Sequence, residues 1–432
     1  MKLRASVAAL VLALCAASAS AEKRFIVRDA LGLWGLTRSC SLLGCNVVRG
    51  LGDPLGQLFL VTTPDRVDPV TFLLRLLAQL GVVHAEVDQI TVLDAGGVGE
   101  APDALYDDRE VAYHGATVWS GYLEQPGSML VRRAQAQSEL RVAGAGIVAI
   151  VDTGIDPGHP AYRSALVPGY DFTRNASGGS EMADVDQRTA AVLDGAAPAY
   201  VNQRTVAVLD QRTVAVLDSP ELAAFGHGTM VAGIVHLVAP QARIMPLKAF
   251  RADGSGYASD VIRAIHHAVK GGAKVVNMSF SFSRPSVEVR KATEYATKKK
   301  VICVSSAGND GSAVLVYPAA LPNVTGVAST TDLDTRSDFS NYGAELVWVG
   351  APGEGIVTTY PWSTYAAGWG TSFSTPWVAG GAALMLAVST SLDQVNADRA
   401  LSHADYISDE LHHGRLDLYA MLRAWRAVST SR

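Results

Sequence analysis

From Gly144 to about residue 305 the chain alternates short continuous apolar runs with longer stretches of helical periodicity, and this alternation constrains the fold more than any other feature. The runs at residues 147–151, 244–249, 274–278 and 301–305 lack the every-second-residue polarity of a half-exposed strand, so each must be covered on both faces. Helical patterns at residues 259–270 and 287–299 supply cover. Strands alternating with helices of this length imply an α/β fold of three layers, with a mostly parallel sheet between helices. Binding groups in such a sheet collect at the carboxyl ends of the strands.

Smaller pieces come first. Lys2 and Arg4, an apolar stretch at 5–17 and Ala19-Ser20-Ala21 have the form of a signal peptide, so residues 1–21 are expected to be removed on export to the periplasm or the cell exterior. No later stretch reaches about 18 uninterrupted apolar residues, the length a membrane span needs. Residues 22–94 combine strand patterns at 25–27, 58–61 and 82–92 with an amphipathic helix at 69–80, making a small α+β domain. The stretch 95–120, broken by Gly96-Gly97, Pro102 and Asp107-Asp108, suits a linker with a processing site and leaves 121–432 as the main domain. Within it, residues 187–194, 203–210 and 211–218 are copies of one octad. A unit of eight residues is too short for a solenoid, so the stretch 187–218 reads as a surface insertion grown by tandem duplication, with a substrate-facing or partner-binding role as the alternative and a core able to pair as a hairpin.

Charge and cysteine content exclude several functions. Lys plus Arg number 36 against 41 Asp plus Glu, a formal charge of −5, so no basic excess points to nucleic acid or an anionic membrane. The four cysteines, Cys15, Cys40, Cys45 and Cys303, are too few for a disulfide scaffold and have no zinc spacing. Cys40 and Cys45 are either a short disulfide or two thiols; Cys303 sits in an apolar run as a core residue.

Three motifs carry chemistry. Asp152 ends the first apolar run, where a carboxylate can be held rigidly and partly desolvated to orient an imidazole. His227, between Gly226 and Gly228, opens an apolar helical run with room for a substrate backbone. Ser372, in Gly370-Thr371-Ser372-Phe373-Ser374-Thr375-Pro376, stands at a helix start, where free N–H groups favour developing negative charge; Pro376 is expected in the first turn. Each alone has an ordinary reading as a cap, turn or core residue. Together, in the order Asp, His, Ser and with Asn309 following another strand, they form a nucleophile, its base, the base's orienter and an amide donor for an oxyanion.

These motifs resemble those of the subtilisin-like serine peptidases, over about residues 144–420. The resemblance implies a serine endopeptidase in which Asp152 orients His227, His227 serves as base then acid, Ser372 forms an acyl-enzyme and Asn309 donates to the oxyanion. It also implies that Gly254, Ser255 and Gly256 form the edge that pairs with extended polypeptide, and that Ser279, Phe280 and Ser281 flank the substrate on the other side. Residues 22–94 resemble the family's propeptide, an intramolecular inhibitor and folding assistant, and the processed enzyme is expected to act as a monomer without a cofactor. A non-catalytic binding protein on the same fold is the alternative; a lipase is disfavoured by the motif order and the missing Gly-x-Ser-x-Gly elbow.

Several departures matter. Ser281 and Phe282 stand where the family commonly has two glycines, and the added ring is expected to narrow or redirect the pocket for the residue before the scissile bond. Met230 and Trp377 replace common histidines outside the triad. The run from Val231 to Pro240 leaves no room for the strong calcium loop of many relatives, so that site is expected to be missing, with a weaker calcium site possible elsewhere.

Overall fold

The structure, a computed structural model, describes residues 22–63, 67–93, 99–185, 201–203, 206–208 and 220–430. They divide into two compact units: residues 22–50 with 54–88, and residues 51–53 with 89–430.

An eight-stranded sheet organises the larger unit. Its strands are β1 (Ile147–Asp152), β2 (Gly169–Asp171), β3 (Ala176–Gly178), β4 (Arg243–Lys248), β5 (Val275–Met278), β6 (Ile302–Ser306), β7 (Thr325–Thr330) and β8 (Val349–Pro352), in spatial order β3-β2-β4-β1-β5-β6-β7-β8. Every pairing is parallel except that of β3 with β2. Among the helices of this unit are α1 (His227–Val238), α2 (Ala258–Lys270), α3 (Val287–Lys298) and α4 (Thr371–Val388). Helices α1 and α4 pack on one another, as do α2 and α3, and the two pairs form the outer layers. The four expected strands and both expected helices are present, with ends displaced by a residue or two.

The small residues of α4 serve close packing. A Cβ on Gly380 would lie 2.6 Å from the Val238 Cβ, so the Val238 side chain of α1 packs directly on the α4 backbone at this glycine. Nearly all of α4 is buried, and Trp377 and Phe373 are among the largest enclosed side chains. Apolar enough to cross a membrane by composition, it is here a core helix.

Two expectations are corrected. Pro376 lies not in the first turn of α4 but at its sixth position, because the helix begins at Thr371. Residues 99–119, read as linker, are built into the larger unit. They form a hairpin of Glu110–Tyr113 with Ala116–Trp119, and Leu105 and Val118 are buried in its core.

The smaller unit is an antiparallel sheet in the order Asn46–Gly50, Leu58–Thr63, Lys23–Asp29, Val82–Val87, with helices Gly32–Leu43 and Pro69–Leu77. Phe25 and Phe72 meet at 4.8 Å in its core, the Asp68 carboxylate caps the second helix by accepting from the Thr71 N–H, and Cys40 is disulfide-bonded to Cys45. The strand expected over 82–92 is two strands; Ile90–Val92 belongs to the larger unit. Within the stretch 187–218, Val201–Gln203 and Val206–Val208 pair as a hairpin that joins Ala366–Gly368, while the rest of that stretch and the expected signal segment 1–21 lie outside the described residues.

Candidate active site

Asp152 is the last residue of β1, and buried. Its Oδ1 accepts from the Thr153 N–H at 2.7 Å and lies 2.7 Å from His227 Nδ1. His227 is the first residue of α1, with a side chain only 10% exposed. Burial pulls the imidazole's pKa down, but the Asp152 charge and hydrogen bond, with the Glu181 charge, outweigh it and leave it above the ordinary 6.5. The flanking glycines answer to packing. Gly226 has a φ of +89° and its Cβ would meet the Tyr360 ring at 2.3 Å, while a Cβ on Gly228 would lie 1.9 Å from the Gly154 carbonyl oxygen.

Ser372 is the second residue of α4, after Gly370, whose φ of 144° few side-chain-bearing residues adopt. Its hydroxyl donates to the Ser279 carbonyl at 3.1 Å, and the Ser279 hydroxyl donates to the Ser372 carbonyl at 2.9 Å. No hydrogen bond joins Ser372 to His227 among the described residues; the two sides of the site meet where the His227 ring lies 5.5 Å from the ring of Phe373. Asn309 follows β6, and its Oδ1 accepts from both the N–H and the hydroxyl of Thr371 at 2.9 Å. Fixing Oδ1 fixes the amide plane and turns Nδ2 away from Thr371.

The expected substrate edge carries a strand. Ile90–Val92 pairs antiparallel with Ser255–Tyr257, flanked by Leu93 N–H donating to the Gly254 carbonyl and Ala258 N–H to the Gln89 carbonyl, both 2.9 Å. On the other side the Thr91 hydroxyl donates to the Ser281 carbonyl at 2.6 Å. Ser279 is fully enclosed, held by the Asn277 amide at 2.9 Å. Phe280 and Phe282 are buried too: Phe280 lies between Phe250 at 4.9 Å and Phe282 at 5.9 Å, and the Phe282 backbone exchanges hydrogen bonds with Tyr317. Helix α1 runs unbroken through residues 231–238. Among the described residues no three His, Cys, Asp or Glu side chains converge as metal ligands.

The sequence model of the Subtilase family matches residues 144–413. The chain belongs to the subtilase family. It is 33% identical to thermitase from Thermoactinomyces vulgaris over 283 residues, 63% of this chain and 86% of that relative. To subtilisin BL from Lederbergia lenta it is 40% identical over 169 residues, 37% of this chain and 62% of the relative. The crystal structure of fervidolysin from Fervidobacterium pennivorans, described as a keratinolytic enzyme related to subtilisin, matches with a TM-score of 0.69 at 21% identity. That match covers 93% of this chain and 61% of the other, and it shows the shared fold. This subtilase is thus a subtilisin-like serine peptidase.

Sequence reasoning missed two buried charged residues bonded to the neighbours of Asp152 and His227. Lys248, at the end of β4, is wholly buried and donates to Asp184 Oδ2 at 2.7 Å and to the Thr153 and Phe250 carbonyls at 2.5 and 2.8 Å. A lysine inside an apolar run was the available signal, since a buried ammonium must be paired. Glu181, wholly buried beside Thr153 and Thr229, sits in a Ser/Gly-rich loop where nothing marks it.

Proposed function

We propose that this subtilase is an exported serine endopeptidase in which Ser372 is the nucleophile. Asp152 holds His227 through Nδ1, so that Nε2 takes the Ser372 proton as Oγ attacks a peptide carbonyl. For this the hydroxyl rotates from the Ser279 carbonyl to the imidazole, a tightening usual on substrate binding. The carbonyl oxygen, now negative, is met by Asn309 Nδ2 and the Ser372 N–H. The tetrahedral species collapses, the amine leaves with the proton from His227, and water resolves the acyl-enzyme by the same route. No step calls on a metal or cofactor.

The observation that carries this reading is the buried 2.7 Å hydrogen bond between Asp152 and His227. The substrate class is extended polypeptide, supported by the pairing of Ile90–Val92 with Ser255–Tyr257, which adds a strand to an edge as a substrate would. Gly254, Ser255 and Gly256 line one side of that strand and Ser281 the other, with Phe280 and Ser279 supporting the latter from within. Residues 22–94 are the propeptide, removed with the signal segment to leave a monomeric enzyme in the periplasm or outside the cell. The test is a mixed peptide library: wild-type protein cleaves it and is labelled covalently by a serine-directed reagent, and Ser372→Ala does neither. Folded wild-type protein that neither cleaves nor labels overturns the reading.

A further inference from the structure

One carboxylate ties together the two elements that present Asp152 and His227. Glu181 Oε2 accepts from the Thr153 hydroxyl and from the Gly226 N–H, both at 2.9 Å, and Oε1 accepts from the Thr229 hydroxyl. Thr153 follows Asp152 directly, Gly226 precedes His227 and Thr229 lies two residues beyond it. Each threonine passes the contact on. Thr153 Oγ1 accepts from the Gly228 N–H at 3.0 Å, and Thr229 Oγ1 accepts from the Asp156 N–H at 2.7 Å. The approach is possible only at glycine, since a Cβ on Gly154 would lie 2.8 Å from the Glu181 nitrogen. Gly226 has no side chain to cap α1, so the anion at the positive end of that helix comes from Glu181.

We propose that Glu181 is a positioning residue for catalysis: through Thr153, Gly226 and Thr229 it fixes the end of β1 against the first turn of α1 and thereby sets the Asp152–His227 alignment. The inference rests on the triad reading above. Glu181 also acts through charge. Burial pushes its carboxyl up to about 7 against the pull of Thr229, Lys248, Thr153 and Gly226, and its anion helps hold His227 above the ordinary value. The other charged or titratable groups around it are Asp152 on β1, Lys248 on β4 with Asp184 beside it, and Asp156 and Tyr162 in the following loop.

The test compares Glu181→Gln, Thr153→Val, Thr153→Ser and Ser372→Ala in the full chain, reading unfolding, kcat and KM separately, and the pH profile. Glu181→Gln, near in shape but uncharged, is expected to lower kcat about 10- to 100-fold with KM little changed, since misplacement by a residue remote from substrate can cost about 100-fold. It should also move the acid limb of the rate to lower pH. Thr153→Val is expected to lower kcat and Thr153→Ser to restore it. Wild-type kcat and acid limb in folded Glu181→Gln overturn the proposal. If that variant does not fold, wild-type kcat in Thr153→Val does so. Full activity in Ser372→Ala overturns the triad reading instead.

Discussion

Ser279 and Ser372 exchange two hydrogen bonds, each hydroxyl donating to the other residue's carbonyl. The cause lies four residues beyond Ser372. Pro376 has no N–H to give the Ser372 carbonyl, as the helix ladder would require, and the Ser279 hydroxyl takes that place. Ser279→Ala would leave this buried carbonyl without that donor, and the Asn277 amide without its acceptor. The expected loss is about 1–3 kcal/mol of stability, measured by denaturant unfolding in the Ser372→Ala background to avoid self-digestion. An unchanged midpoint would show that the exchange is incidental.

If His227 accepts the Ser372 proton as proposed, it must be neutral; because Asp152 and Glu181 hold its pKa above 6.5, the rate should fall with acid through a midpoint above 6.5. Asp152→Asn removes the carboxylate and should move that limb to lower pH while lowering kcat, by about 10,000-fold in a triad of the trypsin type. A pH–rate profile of kcat/KM for both proteins checks this. A limb that stays in place would mean that another group controls the acid side.

Asn309 is held through its Oδ1 by Thr371, the residue before the proposed nucleophile Ser372. Asn309→Ala should lower kcat with little change in KM, since the role proposed for the amide is in the transition state; in a subtilisin, losing one such donor costs about 100- to 1,000-fold. Thr371→Val, which deletes one of the two bonds to Oδ1, should give a smaller loss of the same kind. Steady-state kinetics on one peptide substrate separates the two effects.

Legibility from sequence followed the physics of each element. Strands β1, β4, β5 and β6 were readable because burial on both faces leaves a continuous apolar run, and the meeting of Asp152 with His227 because the two stand where such a run ends and a helix begins. Helix Gly32–Leu43 was not readable. It contains Gly35 and starts after Leu31, which makes no side-chain cap, so it carries no start signal. The hairpin at 110–119 was hidden by the Gly, Pro and Asp residues around it, though Leu105 and Val118 are core residues. Glu181 was invisible because its partners, Thr153 and Thr229, come together only in three dimensions.

Leu93 N–H donates to the Gly254 carbonyl and ends the run of pairing that holds residues 89–93 on the edge assigned to substrate. Leu93→Pro deletes that donor. The freshly folded full-length variant should be labelled at Ser372 by a serine-directed reagent faster than wild type, followed by mass spectrometry over time. Equal labelling rates would show that this segment does not restrict access.

His159 and His236 are expected to make the fold sensitive to acid. Burial drives both down to about 4; His159 keeps a 3.0 Å bond to the Thr364 carbonyl, and His236 has no hydrogen-bond partner among the described residues. Each ring takes up a proton more readily once unfolded, near 6.5, than when folded. Their contribution to stability is therefore complete above about 6.5 and is lost as pH falls toward about 4, on the order of 3 kcal/mol per ring. His236 lies on α1, nine residues after His227, so this loss reaches the helix that presents the proposed catalytic base. His236→Leu removes one titrating ring and its unpaired nitrogens, and should flatten the fall of melting temperature between pH 6.5 and 4.5 in the Ser372→Ala background. A melting temperature that falls as steeply in His236→Leu would assign the acid sensitivity to other groups.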